Sequence, residues 1–257
     1  MKYRACVIPN PFKDSAVALS KEIEKFLLEC DCVISNMKQC DFVITVGGDG
    51  TVLFEKNRTE KPIFAVGSEI SYLCQASEKN WEQILSDIIN KGYILEERDM
   101  LLSSLNSRVL PPALNEVTVR NKEHRILRLE LNVMGSIYTF KADGVIFATP
   151  TGSTAYSYSC GGPELDPHAD KYVLAPIAAY RRAFLPLIVP INEKSLLKVS
   201  TTCEADVVID GQIVFPLSEN NSIEVWKSER KQAFIIPKTE KLLRTFPLSN
   251  FMRKHYD

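Results

Sequence analysis

The sequence predicts an α/β domain followed by a β-rich domain, and two features of the chain support this division. Strand-like and helix-like segments alternate in the first part, which is typical of a parallel sheet. After about residue 95, short β-type runs follow one another, as they do in antiparallel sheets. The chain has 257 residues, of which 45% are hydrophobic. One large or two modest domains with a sizeable core are therefore expected.

The first part contains β-type runs and amphipathic helices in alternation. Residues 14–29 carry apolar side chains at near-helical spacing, which predicts a helix with Asp14 or Ser15 as its N-cap. A second amphipathic helix is predicted for residues 81–89, and Gly92 ends it. The predicted strands are residues 3–8, 41–46 and 62–66.

The second part contains short β-type runs, several of which alternate strictly between apolar and polar residues. This alternation is typical of a strand with one buried and one solvated face. The sequence therefore predicts an antiparallel β domain. The runs are residues 117–119, 127–133, 137–140, 145–147, 187–189, 207–209 and 223–226.

Charge and composition exclude several classes of protein. The 31 basic and 32 acidic residues nearly cancel, so we expect neither nucleic acid nor a membrane surface as the main partner. Residues 172–191 are apolar but interrupted by prolines and arginines, which argues against a transmembrane helix. The N-terminus lacks a signal-peptide pattern, so a cytoplasmic protein is expected. Seven scattered cysteines and three isolated histidines indicate no disulfide framework and no protein-bound metal.

A glycine cluster follows the predicted strand at residues 41–46. The strand runs into Gly47-Gly48-Asp49-Gly50-Thr51, and a helix is predicted from Thr51. Glycines permit close approach of a ligand and helix N-terminal amides attract phosphate, so Gly47, Gly48, Gly50 and Thr51 are candidate phosphate contacts. The Lys-Ser/Thr of a Walker A loop is missing. The carboxylate of Asp49 would repel phosphate unless it accepts a proton or binds a metal. In a structural alternative, Asp49 bonds backbone amides of a tight turn.

Two further segments are suited to a nucleoside. Residues 149–159 are dense in hydroxyls and small side chains, which can contact a polar ligand while Tyr156 offers a flat face. Asn115 and Glu116 lie at the edge of a predicted strand, where they can bind a ribose diol. A surface loop and ordinary turn residues are the structural alternatives.

In combination, these motifs resemble those of the NAD kinases, in family order over about residues 41–215. The string Thr-Pro-Thr-Gly-Ser-Thr-Ala-Tyr-Ser is highly specific, whereas Gly-Gly-Asp-Gly-Thr also occurs in lipid kinases and phosphofructokinases. The matching motifs are Gly47–Thr51, Leu114-Asn115-Glu116, Asp143-Gly144, Thr149–Ser157, Gly161-Gly162-Pro163 and Val208-Ile209-Asp210-Gly211-Gln212.

The resemblance implies transfer of the terminal phosphate of ATP, or in some members of polyphosphate, to the adenosine 2′-hydroxyl of NAD, giving NADP. Asp49 matches the proposed general base of the family, and Asn115 and Glu116 match its ribose contacts. The other positions that match dinucleotide contacts are Gly50, Lys141, Asp143, Thr151, Thr154, Ala155, Tyr156, Ser157, Tyr158, Ser159, Ala178 and Gln212.

The resemblance also implies the architecture and the partners. A Rossmann-like domain (residues 1–95 with the returning tail 238–257) and a β-sandwich domain (residues 96–237) would have the active site between them. Mg²⁺ or another divalent cation would enter with ATP, with no metal held by the protein. A homo-oligomer, either a dimer or a tetramer, is expected.

One segment departs from the family pattern. The family has Gly-x-Asn-x-Gly-x-Leu-Gly where this chain has Gly67-Ser68-Glu69-Ile70-Ser71-Tyr72-Leu73-Cys74, and Glu69 is expected to add negative charge near the polyphosphate.

Two other functions are considered beside NAD kinase. A lipid or diacylglycerol-type kinase would need a membrane anchor, and no basic amphipathic segment supplies one. A non-catalytic dinucleotide sensor would not need the carboxylate of Asp49.

Overall fold

The computed structural model describes residues 3–123, 125–200, 204–217 and 221–238, and these divide into two compact units. The first unit holds the chain up to Glu97 and the residues from Gln232 onward, and the second unit is Arg98–Lys231. The domain limits predicted from the sequence lie between residues 95 and 96 and between residues 237 and 238. They stay a prediction. The predicted return of the tail concerns mainly residues 239–257, which lie outside the described residues.

The elements are numbered along the chain. The helices are α1 (Asp14–Glu29), α2 (Asp49–Glu55), α3 (Trp81–Lys91) and α4 (Tyr156–Ser159), and 3₁₀ turns lie at Thr151–Thr154 and Tyr180–Arg182. The strands are β1 (Arg4–Pro9), β2 (Val33–Ile34), β3 (Phe42–Val46), β4 (Ile63–Gly67), β5 (Ala76–Ser77), β6 (Tyr93–Leu105), β7 (Arg108–Val109), β8 (Glu116–Asn121), β9 (Leu127–Val133), β10 (Ser136–Ala142), β11 (Gly144–Ala148), β12 (Lys171–Ile177), β13 (Leu187–Pro190), β14 (Ser195–Ser200), β15 (Ala205–Ile209), β16 (Ile213–Leu217) and β17 (Ser222–Pro237).

The first unit is built on a parallel sheet. Its strand order is β17-β4-β3-β1-β2, and each of these pairs is parallel. Strands β3 and β4 are buried along their whole length, as expected where helices cover a parallel sheet. The apolar faces of α1 and α3 pack into one core with the sheet, through Ile23, Leu27, Phe42, Ile44, Phe64, Leu85 and Ile88.

The second unit is a sandwich of two antiparallel sheets. One sheet has the order β10-β9-β14-β17, and the other has the order β13-β12-β11-β8-β15-β16. Alternate residues of β9 are buried, so that one face of the strand meets the core. Side chains from both sheets share that core, among them Leu129, Leu131, Leu197, Val119, Phe147 and Val207.

Some element predictions are wrong in detail. Helix α1 has the predicted limits, but Lys13 precedes it and no side chain caps it, so neither Asp14 nor Ser15 is the N-cap. Helix α2 begins at Asp49, two residues before the predicted Thr51. The predicted runs do not include β6, β12, β14 and β16, nor the two-residue strands β2, β5 and β7. None of the described helices is long and apolar enough to cross a membrane.

A buried hydrogen bond joins the two sheets of the second unit. The phenol of Tyr172, on β12, is bonded to the hydroxyl of Ser195, on β14, and both residues are fully buried. Burial raises the pKa of Tyr172 to about 12, so the phenol is neutral at physiological pH. The bond therefore satisfies two hydroxyls that water cannot reach.

Replacing Tyr172 with Phe should lower the free energy of unfolding by about 1–2 kcal/mol, because it leaves the Ser195 hydroxyl buried without this partner. Urea unfolding of Tyr172→Phe, Ser195→Ala and the double variant measures the coupling. The double variant should cost less than the two single losses together. Strictly additive losses would show that the two hydroxyls do not stabilise each other.

Candidate active site

The glycine cluster forms the turn between β3 and α2. Gly47 and Gly48 have φ values of 141° and 113°, which side chains with a Cβ rarely adopt. A Cβ on Gly47 would also lie 2.7 Å from the Cβ of Asn10 and 2.9 Å from the Oγ1 of Thr51. The ammonium of Lys13 donates to the carbonyl of Gly47 over 2.9 Å. The turn thus requires glycine and has a cation beside it.

Asp49, the first residue of α2, is held by a segment that follows β4. Its Oδ2 accepts from the backbone amide of Tyr72 (2.9 Å) and its Oδ1 from that of Leu73 (3.0 Å). The Cys74 thiol donates to Oδ1 over 3.7 Å. Burial, and then the charge of Asp49, raise the pKa of Cys74 to about 12, which keeps it a thiol. Asp49 does bond backbone amides, as in the structural alternative, but the donors lie more than twenty residues away.

The atypical segment Gly67–Cys74 contains its own polar pairs. The hydroxyls of Ser68 and Ser71 lie 3.2 Å apart, and Ser71 faces Gly48, where a Cβ would lie 3.6 Å from its Oγ. The carboxylate of Glu69 accepts from Lys79 over 3.0 Å. The negative charge that Glu69 adds is therefore paired with a neighbouring cation.

In the second unit, one carboxylate holds the backbone of Asn115 and Glu116. Oδ1 of Asp210 accepts from the amides of Asn115 (2.7 Å) and Glu116 (3.0 Å), and Oδ2 accepts from Leu114 (3.0 Å). The amide of Asp210 donates back to the carbonyl of Glu116 over 2.9 Å. Asp210 has a φ of 50° in the Asp-Gly turn between β15 and β16, a turn that favours this conformation. The start of β8 is thus fixed to that turn.

The segment Leu114–Glu116 is also held by residues 149–159, the polar stretch after β11. The amide of Thr149 donates to the carbonyl of Asn115 over 2.8 Å, and the Thr149 hydroxyl donates to the carbonyl of Leu114. Gly152 packs so tightly here that a Cβ on it would lie 2.0 Å from the Asn115 carbonyl oxygen. Two predicted motifs therefore form one local structure.

Glu116 is a buried carboxyl group, only 6% exposed. Its Oε2 has no hydrogen-bond partner among the described residues. Burial, and then the charge of Asp210, raise the pKa of Glu116 to about 8, because both disfavour its ionised form. Glu116 is therefore largely protonated at neutral pH.

The polar stretch uses part of its hydroxyls internally. Ser153 donates to the carbonyl of Pro150 (2.7 Å), and Thr154 donates to that of Thr151 (3.3 Å). The hydroxyls of Thr151 and Ser157 are buried without a hydrogen-bond partner in the described part of the chain. Among the other predicted contacts, Tyr158 and Ser159 are exposed and Ala155 is half-buried.

Tyr156 lies near several other predicted residues. Its pKa is raised, mainly by burial and then by Cys160, with smaller contributions from Asp143 and Glu116, while the charge of Arg120 opposes the rise. The amide of Asp143 donates to the carbonyl of Ile177 over 2.9 Å, next to Ala178. Tyr156, Glu116, Asp143 and Ala178 thus belong to one region of the second unit.

Two further predicted contacts, Lys141 and Gln212, are exposed. Lys141 is exposed on β10, opposite Arg128 of β9. Gln212 is exposed and follows the turn that holds Asp210. Among the residues that the structure describes, no group of three or more His, Cys, Asp or Glu side chains could hold a metal ion.

Four residues with contacts at these motifs were missed as site residues. Asp210 and Thr149 lie within quoted motifs, and the Asp-Gly pair between two strands signals a hairpin turn. Cys74 lies in the atypical segment that the sequence did single out. Lys13 carries no sequence signal for its contact with the glycine turn.

Comparisons with known proteins give one consistent family. A family model described as the ATP-NAD kinase C-terminal domain matches residues 114–236. An NAD kinase of Pyrococcus abyssi is 33% identical over 201 residues, which are 76% of this chain and 73% of the relative. An NAD kinase of Methanothermobacter thermautotrophicus is 34% identical over 211 residues, covering 79% of this chain and 73% of the relative.

Solved structures agree with the sequence comparisons. A crystal structure of an NAD kinase from Archaeoglobus fulgidus in complex with ATP has a TM-score of 0.81 and 30% identity, covering 97% of this chain and 98% of that one. Yeast NADH kinase complexed with NADH has a TM-score of 0.79 at 20% identity, covering 93% and 84%, and supports the fold alone. The predicted fold class and the predicted family resemblance are confirmed, and neither the lipid kinase nor the sensor is favoured.

Replacing Gly152 with Ala should lower the free energy of unfolding by about 2–3 kcal/mol, because its Cβ would overlap the Asn115 backbone. Gly161→Ala is the matched control, because Gly161 has open space around it and only a φ of 82° to oppose a side chain. That control should cost about 1 kcal/mol, measured by urea unfolding. A Gly152→Ala loss no larger than the control would contradict the tight packing.

Proposed function

The chain belongs to the NAD kinase family, and we propose that it transfers the terminal phosphate of ATP to the adenosine 2′-hydroxyl of NAD, forming NADP. The proposal rests on a combination of motifs found in a chain of this family. The fixed carboxylate of Asp49 stands on a glycine turn, and the segments around Asn115 and residues 149–159 are bonded together. This reaction needs a general base that accepts the proton of the hydroxyl and a region that binds a nucleoside.

Asp49 is proposed as the general base. In the transfer, the 2′-oxygen of NAD bonds to the γ-phosphorus while the bond from that phosphorus to the leaving ADP oxygen breaks. The proton of the 2′-hydroxyl moves to the carboxylate of Asp49. The amides of Tyr72 and Leu73 each bond one carboxylate oxygen, which fixes the orientation of the base before the substrate arrives.

The dinucleotide is proposed to bind to the second unit. Asn115 and Glu116 would contact its ribose, and Tyr156 would offer a ring face to a base. The hydroxyls of Thr151 and Ser157 are buried without a partner among the described residues, and a polar ligand that reaches them would satisfy them. The other proposed contacts are Gly50, Lys141, Asp143, Thr154, Ala155, Tyr158, Ser159, Ala178 and Gln212.

Three further features are proposed from the family resemblance. Mg²⁺ would enter with ATP, where it neutralises phosphate charge, and Gly47, Gly48, Gly50 and Thr51 would contact the phosphates. A cytoplasmic location is supported by the free cysteines of the described chain, which are typical of reducing compartments. A homo-oligomer is expected, and sedimentation of the purified protein measures it.

Replacing Asp49 with Asn should lower kcat by about 10²–10⁴-fold, because the base is lost, while NAD binding persists. The assay supplies NAD, ATP and Mg²⁺ and measures NADP with a dehydrogenase that accepts only NADP, and calorimetry measures NAD affinity. Asp87→Asn is the matched control, because Asp87 makes a surface ion pair with Lys91 on α3. The control should keep the wild-type kcat.

Two results would contradict these proposals. A wild-type protein that binds NAD but forms no NADP would exclude the kinase and leave the dinucleotide sensor. An Asp49→Asn variant with wild-type kcat, or one that no longer binds NAD while remaining folded, would exclude Asp49 as the base.

A further inference from the structure

Three consecutive amides converge on one carboxylate in the second unit. Asp210 is 3% exposed, and the amides of Leu114, Asn115 and Glu116 donate to it over 2.7–3.0 Å. Hydrogen bonds to an ionised acceptor are stronger than neutral ones. Asp210 lies more than ninety residues further along the chain, so these are tertiary contacts. The three bonds engage both oxygens of the carboxylate and fix the segment Leu114–Glu116.

Glu116 is buried in the same region as Asp210, but the three backbone amides donate to Asp210. Its carboxyl is 6% exposed, and its Oε2 has no partner among the described residues. Among the described residues, the titratable groups that interact with it are Asp210, from the turn after β15, and Tyr156, from α4. Neither is a cation, so neither stabilises a second negative charge. A negative charge on Glu116 is disfavoured by burial and by the neighbouring Asp210, whereas the three amides donate to Asp210.

We propose that Asp210 is a positioning residue that fixes Asn115 and Glu116 and keeps Glu116 an uncharged carboxylic acid, which donates a hydrogen bond to the dinucleotide. This inference rests on the proposed function, because it assigns a chemical role within the same site. Protonation makes Oε2 a donor, and an oxygen of the bound dinucleotide would then be the partner that this atom lacks among the described residues. An uncharged Glu116 also does not repel the phosphates of the dinucleotide.

The pH dependence of the reaction follows from the neutral form. Because the protonated acid is the active form, kcat/KM for NAD should fall as pH rises through about 8, the pKa to which burial and Asp210 raise Glu116. The expected loss is about tenfold between pH 7 and pH 9. An increase of kcat/KM over this range would overturn the proposal, because a charged Glu116 would then be the active form.

Two variants of Glu116 separate a donor from an acceptor. Glu116→Ala removes the donor and should lower kcat/KM by about 10–100-fold, mainly through KM. Glu116→Gln retains an N–H donor that does not titrate. It should recover much of the loss relative to Ala and should lack the decline above pH 8. A Gln variant as poor as Ala would mean that Glu116 acts as a charged acceptor, which overturns the proposal.

Asp210→Asn tests the positioning role. The amide cannot accept from all three backbone groups, so KM for NAD should rise about tenfold or more while kcat changes less. Loss of the neighbouring charge should also move the decline in kcat/KM to lower pH. Asp206→Asn is the control, because Asp206 is a buried residue of β15 paired with Lys122 over 3.1 Å. It should retain the wild-type KM and pH profile.

The outcomes distinguish this inference from the proposed function. A wild-type protein without NADP formation would exclude the kinase, and the same variants would then be compared by NAD affinity across pH. NADP formation with an unchanged KM and pH profile in Asp210→Asn would overturn the positioning role alone. If Asp210→Asn does not fold, as judged by circular dichroism, the Glu116 pair still decides whether Glu116 is a donor.

Discussion

The arrangement of the second unit's motifs depends on a buried charge that needs hydrogen-bond donors. A carboxylate out of reach of water costs several kcal/mol unless donors satisfy it, and Asp210 takes three from consecutive amides. Because those amides belong to Leu114–Glu116, the bonds that satisfy Asp210 also determine where Asn115 and Glu116 stand. Thr149 holds the carbonyls of the same segment, so the polar stretch after β11 is fixed by the same constraint.

In the first unit, the carboxylate of Asp49 is held by the atypical segment Gly67–Cys74. The amides of Tyr72 and Leu73 orient the carboxylate, and the thiol of Cys74 adds a weak donor. Ser71 and Cys74 stand at two positions where the family pattern has glycine. The ion pair between Glu69 and Lys79 offsets the charge that this departure introduces. Within this atypical segment, Cys74 therefore contacts the proposed base directly.

The sequence predicts those elements whose periodicity is regular and fails where charges or prolines interrupt it. The apolar spacing of α1 and the alternation of β9 predict both elements at their observed limits. The four charged residues 96–99 hide the long strand β6, and Pro216 hides β16, an edge strand that tolerates proline. The site motifs are recognisable by residue type and order. Their partners are not, because Asp210 meets its three amides across more than ninety residues.

The protonation state of Glu116 is the central claim that can be measured most directly. Carbon-13 NMR of the glutamate side-chain carboxyls, with the Glu116 signal assigned by its absence in Glu116→Gln, follows this group as pH is raised. We predict a titration midpoint near pH 8, well above the ordinary range of glutamate. A midpoint within that ordinary range would show a charged Glu116 at neutral pH and would contradict its role as a hydrogen-bond donor.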